Sequence, residues 1–132
     1  MGNEQGSVTV FAVALMASII LITGLIYDGA RLVDNKALVE DAAFSASRAA
    51  AAEHQFVDNN LIIDSPAATQ RAATYLANVG VNSVSITTTA STATVTAERT
   101  YQGVILPFIT DTHQATHTSD ILVGVRSQGD TP

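Results

Sequence analysis

The chain has 132 residues, with 12 acidic and 6 basic side chains, a net charge of −6 and no cysteine. Without a basic run it lacks the electrostatic footprint of a nucleic-acid binder and of a polybasic lipid-surface site. Without cysteine it has no disulfide, no thiol nucleophile and no thiolate-bound metal.

Residues 1–6, MGNEQG, are a short polar leader or N-tail with no positive charge. From Ser7 to Tyr27 the sequence SVTVFAVALMASIILITGLIY carries no Asp, Glu, Lys, Arg or His. As a helix, residues 8–27 cover roughly 30 Å, the thickness of a bilayer's hydrocarbon core. The run exceeds a secretory h-region, and DGARLVDNK follows it in place of a small-x-small cleavage pattern, so a retained anchor is expected.

Beyond Tyr27 the chain stays rich in alanine and free of proline as far as residue 56, which predicts one helix over about 8–55. Its first half lies in lipid and its second half is amphipathic, with Val33, Ala37, Phe44 and Ala51 as the apolar stripe. Arg31, Asp34, Lys36, Glu40, Arg48 and Glu53 take the other side. Asp58-Asn59-Asn60 breaks this helix, and Leu61, Ile62 and Ile63 read as a short buried connection. Ser65 as N-cap and Pro66 in the first turn open a second helix, which stops at Gly80.

The period then changes to two. Val84 and Ile86, and later Ala93, Val95 and Ala97, alternate with Ser and Thr around a turn at 89–93. Residues 103–109, GVILPFI, form an apolar loop, and a third strand is expected over roughly 115–125. The fold class is α+β: a long N-terminal helix, a second helix and a small antiparallel meander. The predicted divisions are 1–6 leader, 7–27 membrane helix, 28–56 amphipathic continuation, 57–126 extracytoplasmic domain and 127–132 tail.

GSVTVF at 6–11 opens the apolar run, DGAR at 28–31 closes it, and EDAAFSASRAAA at 40–51 follows. In these motifs the chain resembles the Tad (tight adherence) pilus proteins, specifically the TadE/TadG-like pseudopilins and minor pilins. The resemblance implies a pilin-like fold, an outward-facing domain, a cytoplasmic-membrane location and incorporation in a surface filament. Its implied partners are lipid, other pilin or pseudopilin subunits in a homo- or hetero-oligomer, and pilus assembly machinery. It also implies a leader cut after Gly6, leaving Ser7 first. Pilins carry a Glu at the fifth position after that cut, and here the fifth residue is Phe11. An intramembrane Glu would serve as partner for a neighbour's terminal amine; its absence leaves processing open.

Orientation is in tension. Arg31 and Lys36 follow the helix and no positive charge precedes it, which taken literally keeps the domain inside; the resemblance and the Lys-poor, Thr/Ser-rich remainder favour outside. Asp28 and Arg31, three residues apart, are either a pair that sets insertion depth or docks a neighbouring subunit, or a solvated interfacial pair. Asp41 either meets Arg31 or Arg48 of an adjacent helix or faces solvent. Ala14 and Ser18 make a small-xxx-small pair that, with Gly24, permits close helix approach in lipid, and Phe44 joins the expected packing face. Ala42, Ala46 and Ala49 either bundle helices in a filament core or reflect helix propensity alone.

His113 and His117 would share one face of a helix, but on a strand they stand roughly 13 Å apart, too far to share an ion. The Thr-rich run 87–96 is either an adhesive, glycosylated surface or two half-exposed strands. His54 falls on the solvated helix. No P-loop, GxGxxG or HExxH occurs. The expectation is a structural protein without enzyme activity, cofactor or metal, and the alternative is a membrane-anchored sensor or adhesin that does not polymerise.

Overall fold

A computed structural model of the chain describes residues 4–121. It is α+β, in the order α1 (Glu4–Ala51), β1 (His54–Val57), β2 (Asn60–Ile63), α2 (Ser65–Asn78), β3 (Asn82–Thr88), β4 (Thr92–Gln102) and β5 (Thr110–Asp120). Of the described residues, 4–34 and 101–111 form one compact unit, and 35–100 with 112–121 form another.

In the first unit α1 is exposed on nearly every side. Val8, Phe11, Met16, Ile20 and Ile26 are among many large apolar side chains left uncovered, while Gly24 and Asp28 are buried. By length and composition this is a candidate membrane anchor. Two of the polar residues in the run are hydrogen-bonded to their own helix: Ser18 Oγ donates to the Ala14 carbonyl at 2.8 Å and Thr9 Oγ1 to that of Gln5 at 3.0 Å.

The second unit corrects three expectations. The buried face of α1 is Asn35, Val39, Ala42, Ala43, Ala46, Ser47, Ala50 and Ala51; of the expected stripe Ala51 is buried, whereas Val33, Ala37 and Phe44 point outward. Alanine is both a good helix former and a small core residue, so its abundance concealed which stripe is packed. Ala42 and Ala46 are therefore used inside this unit, in a cluster with Ala68, Ala72 and Leu76 of α2 and Ala93, Val95 and Ala97 of β4.

Second, α1 ends at Ala51, and residues 54–57 pair with 60–63 as an antiparallel hairpin, His54 opposite Ile63. Asp58 and Asn59 both hold positive φ (49° and 67°), as a two-residue type I′ hairpin turn requires. The Asp-Asn pair expected to break the helix is a strand connector, and His54 lies on β1.

Third, the last strand starts at Thr110, five residues earlier than predicted. The predicted stretch beyond 121 and the tail at 127–132 lie outside the described residues.

The N-cap of α2 is Asp64, whose side chain accepts from the Ala67 amide, rather than Ser65. Gly80 follows its end at φ +72° as anticipated. The sheet order is β3-β4-β5. Ala93, Val95 and Ala97 face inward, and a bulge between Ser83 and Ser85 turns Val84 outward. Thr94–Thr118, Thr96–Thr116 and Thr100–Thr112 join their hydroxyls across β4 and β5 at 2.8–2.9 Å, as half-exposed strands would.

Candidate functional site at the helix exit

Asp28 is the first charged residue after the apolar run, and its side chain is wholly enclosed. Its Oδ1 accepts from the Tyr101 hydroxyl at 3.1 Å and the Val104 amide at 2.9 Å. Its Oδ2 accepts from the amides of Ile105 at 3.2 Å and Leu106 at 2.7 Å. Three successive loop amides thus converge on one carboxylate, an anion-binding arrangement of backbone donors. The loop closes on itself as well: the Gly103 amide donates to the Ile109 carbonyl at 2.7 Å, and the Ile109 amide to that of Leu106 at 2.9 Å.

Two glycines make the approach possible. A Cβ on Gly24 would lie 2.8 Å from Ile105 Cγ2 and 3.1 Å from Leu106 Cγ. A Cβ on Gly103 would overlap the Leu106 carbonyl oxygen and stand 2.9 Å from Asp28 Oδ2. Gly24 therefore packs against this chain's own loop. The Asp28–Arg31 pair is corrected: Arg31 lies over the Tyr27 ring, 5.5 Å from its centroid, and donates to the Tyr27 hydroxyl at 3.4 Å.

Withdrawal from water pushes the Asp28 carboxyl pKa up. The amides of Leu106 and Val104, the Tyr101 hydroxyl and the Ile105 amide outweigh that and hold it below the ordinary value. A carboxylate with a depressed folded-state pKa stabilises the fold above its unfolded value, about 3.9, and the contribution is lost as pH falls through the folded value. Exchange protection of the Leu106 amide, corrected for intrinsic rate, is expected to stay flat from pH 7 to about 4.5 and to collapse only below about 3.9. Collapse near neutral pH would mean that something other than this carboxylate holds the loop.

The remaining predicted assembly residues divide between the units. Phe11, Ala14 and Ser18 are exposed on α1, as are Gly6 and Ser7 in its first turns. Asp41 and Phe44 are exposed on the later part of the helix.

Near Phe44 the second unit brings together side chains that the sequence reading kept apart. Glu40 receives His113 Nε2 on one oxygen at 3.2 Å and His117 Nε2 on the other at 2.9 Å. Phe44 meets the His117 ring edge-on at 5.7 Å, and Arg48 lies over the Phe44 ring at 5.6 Å. Both imidazoles reach one carboxylate, although spacing along a strand alone would hold them apart. The hydrogen bonds from His117 and His113 hold Glu40 below the ordinary glutamate range. No group of three or more such side chains is placed to hold a metal ion among the described residues.

No family model, curated protein or solved structure matches the chain.

Proposed function

We propose that this protein is a membrane-anchored structural subunit or assembly factor of a Tad-like pilus, of pseudopilin or minor-pilin type, which associates through the free surface of its N-terminal helix. One observation carries the reading: the large apolar side chains of residues 8–27 are exposed on α1, with only Gly24 buried in that stretch. Covering each such side chain is worth about 1.5–3 kcal/mol, first in lipid and then, in a filament, against neighbouring helices. The motifs at 6–11, 28–31 and 40–51 support the same reading, with residues 57 onward outside the cell.

Ala14 tests it, because it is exposed on α1. Ala14→Leu is expected to reduce recovery of the protein in sheared surface filaments by about tenfold while membrane insertion is unchanged, since a bulky residue at a small-xxx-small contact blocks close helix approach. Sequencing the N-terminus of the sheared material reads the cut at Gly6–Ser7 in the same sample. Wild-type protein confined to the membrane fraction, with residues 1–6 intact, would replace this reading with an anchored module that does not polymerise.

A further inference from the structure

We propose that residues 103–109 are a second membrane-contacting element, an apolar wedge that sits at the headgroup–acyl boundary beside the helix exit. The proposal rests on the reading of residues 8–27 as a membrane span.

Depth is the first argument. Ile105 and Leu106 lie against Gly24, with 2.8 and 3.1 Å left for a Cβ there. Gly24 precedes Tyr27, the last residue of the span, by three positions, or about 4.5 Å of helix rise. A loop that touches the helix at that level lies beside the end of the span and cannot clear the membrane surface.

The side chains fit that place. Val104 and Phe108 are 73% and 76% exposed, and the loop contains no charged residue. Left in water they would be an unexplained apolar patch. Tyr27 and Arg31, stacked just beyond, are an aromatic ring and a long cation of the kind that occupies the headgroup layer.

The backbone fits as well. Irregular chain is costly in an apolar medium unless its N–H groups have acceptors. Here five of the loop's six N–H groups have acceptors: Val104, Ile105 and Leu106 donate to Asp28, Gly103 to Ile109 and Ile109 to Leu106, while Pro107 has no N–H to place. The buried carboxylate thereby acquires a role: it supplies the acceptors that let a non-helical segment enter the boundary.

The chain contains no tryptophan, so single substitutions give unambiguous probes. Full-length Phe108→Trp and, separately, Phe11→Trp would be reconstituted at high lipid-to-protein ratio in phosphatidylcholine–phosphatidylglycerol vesicles carrying brominated acyl chains. The wedge predicts that both are quenched, Phe108→Trp by about half or more and most strongly when bromine sits near the headgroup end of the chain. Val104→Trp repeats the reading should Phe108→Trp fold poorly. Quenching of Phe11→Trp with water-like, unquenched emission from both loop probes would overturn the wedge and leave the span standing. If Phe11→Trp is also unquenched, the span has failed and the wedge falls with it. Loop probes that shift to the blue only when protein is concentrated, without bromine quenching, would assign this surface to a second copy of the chain and overturn the lipid assignment.

Discussion

Replacing Leu76 by alanine is expected to destabilise the unit built from residues 35–100 and 112–121 by about 3–4 kcal/mol. Leu76 is 1% exposed and is the largest fully buried side chain among the described residues. Its surroundings make the loss hard to recover. The cluster it belongs to consists mostly of alanines, including Ala42, Ala43, Ala46, Ala68, Ala72 and Ala93, and an alanine has no rotamer with which to reach into a void. A cavity that cannot collapse falls in the upper part of the 2–5 kcal/mol range seen for such truncations. Against the 5–15 kcal/mol that stabilises a typical domain, this is a large fraction. Urea titration of the full chain in mild detergent would measure it. A shift below about 1 kcal/mol would mean that the unit repacks around the gap. Leu38, only partly buried against the same cluster, should cost less when truncated.

Gly103→Ala is the second substitution with a large expected effect, and it acts by addition. The new methyl would overlap the carbonyl oxygen of Leu106, a backbone atom with no rotamer to change, and would press on Asp28 Oδ2. Accommodating it requires the loop to open, which separates the Leu106 and Ile105 amides from the carboxylate. Overpacking of this kind costs typically 1–3 kcal/mol, and a local cost of about 2 kcal/mol speeds exchange of the loop amides by roughly 30-fold. Gly29→Ala is the internal control. Nothing lies within 4 Å of the position its Cβ would take. In a helix interior the same change favours folding by about 0.5–1 kcal/mol. If both alanines behaved alike, the close approach at Gly103 would not be what shapes the loop.

The apolar helix, the stop of α2 at Gly80 and the alternation of Ala93, Val95 and Ala97 were all legible, because each is a local pattern whose meaning lies within a few residues. The packed face of α1 was not. With alanine on several sides of a helix, periodicity cannot say which side meets a partner, and the larger Val33 and Phe44 drew the stripe to the wrong face. The hairpin at 54–63 was missed because Asp58-Asn59 serves equally to end a helix and to make a type I′ turn.

The site itself was half visible. Asp28 stood out as the first charge past the apolar run, and 103–109 stood out as an apolar loop. Nothing in composition or spacing connects two segments that meet 76–78 residues apart through backbone amides, which every residue but proline possesses. The same holds for Glu40, whose imidazole partners lie 73 and 77 residues further on.

That separation also sets an order of events during synthesis. Leu106 leaves the ribosome 78 residues after Asp28, which at 5–20 residues per second is roughly 4–16 s later. Through that interval the carboxylate has no loop to receive and has only water as its partner. Under the membrane span proposed above, a bare charge at the end of an apolar helix resists being drawn inward, and Asp28 would limit how far the segment can slide. In that reading the arrival of residues 103–106 exchanges the carboxylate's water for backbone amides, and a transient brake becomes a fastening.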